Sequence, residues 1–268
     1  MAAADPGADT EQWLNQARAG DRGAMTRLLE AHEPQIYRFA LRMCDRPEDA
    51  RDVLQETLLA AFRGLGEFRG EAKLSTWLFQ IARSFCSKSA RLRMGEPRVM
   101  QPLTQVAEQP SEARDPEAAA HAREVGAVLQ LALAALPAHH REVLLLKDVE
   151  GLLAEEVAAV VGESLAATKS RLHRARLELR HLLEGVLDDG VPPVAPCPEL
   201  ADVLSGYAAG DIDQQTCERM EAHMARCRQC AQTCDSLKRT VQMCSRAGGE
   251  EVPVPIRAAI RQALQLAV

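Results

Sequence analysis

The stretch that most constrains this chain is Gly162–Leu183, GESLAATKSRLHRARLELRHLL. Ser164 is placed to cap a helix, and Leu165, Leu172, Ala175, Leu179 and Leu182 recur at helical spacing. Lys169, Arg171, Arg174, Arg176 and Arg180 fill the positions between, so one face packs while another presents positive charge. Just upstream, Leu152–Val161 (LLAEEVAAVV) is a shorter apolar helix, with Gly162 at the turn. Two helices joined by a Gly-containing turn, the second one basic, predict a helix-turn-helix. A solvated helical hairpin would share this pattern, and the segments that precede it weigh against that reading.

With 268 residues the chain has room for about two domains and a small third module. Ala and Leu abound, aromatics are only 3%, and β-branched runs are short, which predicts an all-α protein. A net charge of −6 excludes a passive polycation, so nucleic acid must be met by local basic faces. No apolar run is long enough for a membrane span, and the opening residues lack the apolar core of a signal peptide. The expected place is the cytoplasm, where structural disulfides are rare. Six of the eight cysteines nevertheless lie beyond position 196.

The helical pattern divides into a first domain over residues 11–94, a Pro-rich linker over 95–118 and a second domain over 119–187. A short linker (188–196), a cysteine-rich module (197–245) and a tail (246–268) follow. Within the first domain, PEDARDVLQETLLAAFRGL opens with Pro47 and two acids, as a helix start does. Its apolar stripe runs through Ala50, Val53, Leu54, Leu58 and Ala61, and its outer side offers Asp49, Asp52, Gln55 and Glu56. After the loop 64–72, KLSTWLFQIARSFCSKSARLR sets Trp77, Leu78, Ile81 and Phe85 against a basic side of Lys73, Arg83, Lys88, Arg91 and Arg93. Cys44 and Cys86 fall in apolar helices and read as core residues.

Three segments in this order, PEDARDVLQETLLAAFRGL, FRGEAKLSTWLFQIAR and LPAHHREVLLLKDVEGLLAEEVAAVVGESLAATKSRLHRARLEL, resemble the extracytoplasmic-function sigma factors of bacterial RNA polymerase over roughly residues 12–186. The resemblance implies that Asp49, Asp52, Gln55 and Glu56 dock on core RNA polymerase. It also implies that the loop and helix around Lys73–Arg93 bind and open the −10 element of promoter DNA. Opening a duplex needs cations along the strand and a pocket for unstacked bases, which suits Lys73, Arg83, Lys88 and Arg91. Trp77 has a stacking surface, although its spacing favours the core. Where the family usually carries Asn after IAR, this chain has Ser84. In the second domain, Thr168, Lys169, Arg171, His173, Arg174 and Arg176 are the expected contacts to the −35 element, Arg171 and Arg174 foremost. Neither domain shows a nucleophile–base constellation or a Gly-rich phosphate loop, so no enzymatic activity and no small-molecule substrate are expected.

The module carries His223-x3-Cys227-x2-Cys230 after an earlier cysteine, zinc-ligand types at workable spacing. Cys197, Leu204, Tyr207, Gly210, His223, Cys227 and Cys230 resemble the pattern of the zinc-binding anti-sigma domain. In an unbroken helix, His223 to Cys234 would span about 16 Å, too far for one ion. Either the helix breaks near Cys227, or there are two sites. The first site is expected to be Cys197, His223, Cys227 and Cys230, with Cys217, Cys234 and Cys244 as thiolates for a second or exchangeable one. Four protein ligands leave no open position for hydrolysis. A permanently structural zinc, a thiol–disulfide switch at Cys227 and Cys230, and metal sensing all fit.

A sigma factor with its own cysteine-rich module resembles the CorE-like metal-responsive group. The absence of a Cys-x-Cys pair favours Zn2+ or Cd2+ over copper. The reading is therefore a sigma factor whose promoter binding responds to metal. A stand-alone helix-turn-helix metalloregulator is the alternative, and a zinc enzyme has the weakest support.

Overall fold

A computed structural model describes residues 7–44, 46–92, 116–183, 197, 201–247 and 251–266. Every regular element among them is helical. The linkers expected at 95–118 and 188–196, and Arg93, lie largely or wholly outside the described residues. The chain forms two compact units, 1–108 with 248–268, and 109–247.

The first unit contains α1 (Gly7–Arg18), α2 (Arg22–Met43), α3 (Pro47–Gly64) and α4 (Leu74–Leu92). Asp21 caps α2 by accepting the Ala24 N–H at 3.1 Å, a start signal hidden in what reads as a plain turn. Pro47 opens α3, where its missing N–H costs nothing, and Glu48 and Asp49 face the positive end of the helix dipole. Leu28, Ile36 and Phe39 of α2, Leu54 and Leu58 of α3, and Leu78 and Phe79 of α4 are fully buried. Phe39 meets Phe79 edge to face, with ring centroids 5.4 Å apart.

The loop between α3 and α4 is held from α1. The Arg18 guanidinium donates to the Phe68 carbonyl, lies 5.4 Å from the centre of that ring, and crosses over Gly70. At Gly70 (φ +77) a side chain would be strained and would also meet Arg18 at 2.9 Å. The final helix of this unit, α12 (Val254–Leu266), packs on α3.

The second unit contains α5 (Pro116–Ala135), α6 (Ala138–Leu144), α7 (Ala154–Val161) and α8 (Leu165–Leu182). It continues through α9 (Ala201–Ala208), α10 (Gln214–Met224) and α11 (Arg228–Arg246). The buried Arg141 donates to the carbonyls of Ala134 and Leu136, which satisfies the end of α5. A wider turn, Leu145–Val149, continues α6 and carries Asp148. Gly162 ends α7 at φ 75, and Ser164 starts α8 by accepting the Ala167 N–H at 3.2 Å. Leu172, Ala175 and Leu179 of α8 bury against α6 and α7. The cysteine-rich module has a core of Leu204, Met220, Cys234 and Leu237, and Leu177 of α8 packs against it.

Glu33 of α2 is 1% exposed, and its Oε2 has no hydrogen-bond partner. Burial pushes its carboxyl up to about 7; Glu30 adds to the rise, while Arg257 and Arg261 oppose it. Between its ordinary value of 4.5 and about 7, the folded chain keeps a proton that the unfolded chain has lost. The contribution of this residue to stability is therefore fullest at low pH and declines as pH rises through that window. Thermal unfolding of Glu33→Gln should show a higher midpoint than the parent at pH 8 and little difference at pH 5. An equal difference at both values would contradict a buried, raised carboxyl.

Candidate metal centre and nucleic-acid interface

Four ligand atoms, one each from Cys197, His223, Cys227 and Cys230, lie within 4.8 Å of one another. The chain achieves this by breaking its helix. Asp213 caps α10 by accepting the Thr216 N–H at 2.9 Å, and the helix runs to Met224 with His223 in its last turn. Cys227 then adopts an extended conformation (φ −121, ψ 96) and becomes the cap of α11, which places Cys230 in the next turn. Of the two arrangements open from spacing, the structure takes the break near Cys227.

The donor chemistry fits a thiophilic dication. Cys197 and Cys227 Sγ are 3.9 Å apart, close to the edge of a tetrahedron with bonds of about 2.3 Å. The buried His223 Nε2 has no hydrogen-bond partner. The Cys227 thiol is drawn down to about 7, first by the backbone N–H of Cys230 and then by His223, as befits a sulfur at a helix start. The Cys197 thiol is pushed up to about 11 by the neighbouring Cys230 and Cys227.

The other three cysteines are not gathered into this cluster, and no second group of this kind occurs among the described residues. Cys234 is 1% exposed, in the apolar core of the module. Cys244 is buried at the far end of α11. Cys217 sits on α10 with its thiol 3.6 Å from Glu221. The expectation of a second thiolate site is corrected accordingly: helical periodicity put Cys234 on the right face, but the break at Cys227 sends it into the core. In the first unit, Cys44 is only half-buried, and its sulfur lies 4.0 Å from that of the buried Cys86.

Three faces divide the basic helix α8. Leu172, Ala175 and Leu179 form the helix-turn-helix core together with Thr168, which is fully buried. Ala166, Ala167, Lys169, Ser170 and Arg174 are exposed, and Arg171 is half-buried in a pair with Glu163. The third face, at 173, 176 and 180, carries the module. His173 Nδ1 lies 2.9 Å from Ser205 Oγ, and Arg180 donates to Ser236 Oγ at 2.9 Å. Arg176 binds Asp148 through two bonds (2.8 and 2.6 Å), donates to the Ser205 carbonyl at 3.1 Å and approaches Asp211 at 3.5 Å. Burial works against its charge, but the two carboxylates more than offset this and hold its pKa above the ordinary value. Lys147 pairs with the other Asp211 oxygen at 2.8 Å.

Of the expected −35 contacts, Lys169 and Arg174 thus face solvent and Arg171 partly so. Thr168, His173 and Arg176 are inside, because core packing and the module claim their positions. Sequence reasoning missed Asp148, Ser205, Asp211 and Ser236; the only signal was that 173, 176 and 180 share a face from which 170 and 174 are absent. Among the −10 candidates, Lys73, Ser84, Lys88 and Arg91 are exposed and Arg83 is half-exposed. Trp77 is half-buried against Phe68, with centroids 5.1 Å apart. On α3, Asp52 and Glu56 are exposed and Gln55 half-buried, but Asp49 is 6% exposed and turned away from the outer side.

Residues 28–94 match the Sigma-70 region 2 family, 127–179 match Sigma-70 region 4, and 197–231 match a putative zinc-finger family. The ECF RNA polymerase sigma factor SigM of Mycobacterium tuberculosis is 35% identical over 173 residues, which is 65% of this chain and 83% of SigM. SigE of Mycolicibacterium smegmatis is 34% identical over 167 residues, 61% of this chain, which spans 64% of the length of SigE. Among solved structures, RpoE in complex with the anti-sigma factor NepR from Bartonella quintana is similar at a TM-score of 0.49 and 27% identity, over 59% of this chain and 96% of that one.

The perturbed thiols make a pH-dependent centre, because ligand capture must expel protons. A Zn2+ titration should give one equivalent per chain, with an apparent affinity that falls as pH drops, because the Cys197 and Cys227 thiols must both lose a proton. Cys227→Ser should lose the ion, and Cys217→Ser should retain it. Loss in Cys217→Ser would contradict the four-residue set.

Proposed function

Because the chain belongs to the extracytoplasmic-function sigma factors of RNA polymerase, we propose that it directs core polymerase to promoters and that metal occupancy of its own cysteine-rich module controls this. The observation that carries the reading is the seating of the module on α8 through Arg176, which Asp148 shares with Ser205 and Asp211.

Region 2 supplies the core-polymerase surface on α3, where Asp52 and Glu56 are exposed, and the −10 surface along Lys73, Lys88 and Arg91. Region 4 offers Lys169, Arg171 and Arg174 to the −35 element. Arg176 acts from behind this surface. Breaking one side of the buried Arg176–Asp148 pair would cost about 3–5 kcal/mol and would also release the guanidinium that donates to Ser205 of the module.

Cys197, His223, Cys227 and Cys230 would hold Zn2+ or Cd2+, with copper as the alternative. Such an ion would supply a fixed node joining the segment before α9 to the break between α10 and α11. The helices α9 and α11, which flank this node, carry Ser205 and Ser236, the residues that touch α8. Their placement is thereby coupled to the recognition helix, as a two-state element biased by a ligand requires.

In vitro transcription with core polymerase and metal-stripped protein, titrated with Zn2+, Cd2+ and copper, tests this. Initiation should change at least about tenfold with one ion, an effect of about 1.4 kcal/mol. His223→Ala with Cys227→Ala should abolish the response. Initiation indifferent to every ion would leave a structural zinc, and the absence of initiation in all conditions would favour a stand-alone DNA-binding regulator.

A further inference from the structure

Outside the candidate metal centre, the fold brings together two cysteines that none of the roles above uses. Cys44 and Cys86 stand 42 residues apart in the chain, and their sulfurs lie 4.0 Å apart. They continue the seam between α2 and α4 that Phe39 and Phe79 begin. Cys44 is the C-cap of α2, with extended backbone (φ −91, ψ 145), so its side chain leaves from a bend and not from a helical turn. It is half-buried, whereas Cys86, in the second half of α4, is 6% exposed. One sulfur is thus open to a small solute, and the other lies shielded behind it. A solvent-reached thiol beside a second, resolving thiol is the arrangement in which a sulfenic acid ends as a disulfide. The sulfurs must close by about 2 Å to reach a bond length of about 2.05 Å. That movement falls to the Cys44 side chain at its bend, since Cys86 is packed within a helix.

We propose that Cys44 and Cys86 are a peroxide-oxidisable pair that closes to a disulfide and staples α2 to α4. The Cys44 thiol gives its proton to water, and its sulfur attacks one oxygen of a hydroperoxide. The O–O bond breaks, and the second oxygen leaves as hydroxide and takes up that proton. The Cys86 sulfur then attacks the sulfenic sulfur of Cys44, the S–O bond breaks, and the hydroxyl leaves as water with the Cys86 proton. With hydrogen peroxide, two thiols and one peroxide give one disulfide and two waters, the sulfurs losing the two electrons that the peroxide gains. A thiol reductant reverses the step. The loop closed by this bond contains all of α3 and α4 as far as Cys86, so the cross-link restrains the α2–α4 core. Lys88 and Arg91, both exposed, follow Cys86 on α4. Under the sigma reading the bond would therefore stiffen the helix that meets the −10 element, but the chemistry is independent of that reading.

The test treats the reduced full chain and its Cys44→Ser variant with hydrogen peroxide, alkylates the remaining thiols and maps the tryptic peptides. In the parent, residues 43–51 should be found joined to residues 84–88, and dithiothreitol should release them. Cys86→Ala should stop at a Cys44 sulfenic acid, trapped by dimedone. Amide exchange over 84–92 should slow at least about tenfold on oxidation of the parent and stay unchanged in Cys44→Ser, a comparison that subtracts any oxidation of the module's cysteines. Oxidation confined to the module, or Cys44 driven to sulfinic acid without the linked peptide, would overturn the pair. A cross-linked chain with unchanged exchange over α4 would overturn the staple. Neither polymerase nor promoter enters these readouts, so either failure leaves the sigma reading intact.

Discussion

The buried Arg176 guanidinium ties the helix-turn-helix to the cysteine-rich module. Arg176 is buried on a helix that must also present charge to DNA, and its position is tolerable only because Asp148 takes two of its hydrogen bonds and Ser205 a third. An unpaired charge at this depth would be strongly destabilising. The two halves of its partner set come from different segments: Asp148 from the turn before α7, Ser205 from α9 and Asp211 from the loop after it. The helix-turn-helix and the cysteine-rich module therefore share a core, with Leu177 of α8 packing into the Leu204, Met220 and Leu237 cluster. The module is built into region 4 through α8.

This arrangement gives α8 a division of labour. One face is spent on Leu172, Ala175 and Leu179, one on the module, and one is left with Lys169, Ser170 and Arg174. The module leaves that outward face open. Under the proposed function, control through it would work by the placement and rigidity of α8. The four-residue cluster sits on both sides of the helix break at Cys227, so an ion held there would join α10 to α11.

Much of this was legible in the sequence because it is local. The Ser164 cap, the Gly162 turn and the Pro47 start follow from chemistry within a few residues, and the clustering of Cys197, His223, Cys227 and Cys230 from spacing plus the reach of one ion. What was not legible depends on partners far along the chain. Arg174 and Arg176 look alike in sequence, yet Asp148 and Ser205, at separations of 28 and 29 residues, draw one of them inside. Cys234 looks like a ligand until the helix breaks ahead of it. Asp49 reads as outward from its charge, but it lies on the buried side of the first turn of α3. The docking of α12 had no local signal beyond an amphipathic pattern, because its acidic partners lie more than 220 residues upstream.

The central claim is that metal occupancy at Cys197, His223, Cys227 and Cys230 is felt by α8. Amide exchange of residues 172–183, measured across a buffered Zn2+ series, tests it most directly. The account requires exchange there to slow as the ion binds in the parent protein and to ignore the ion in Cys227→Ser. Stoichiometric binding of the ion with α8 exchange unchanged would show a metal that only holds the module together, and would contradict the account.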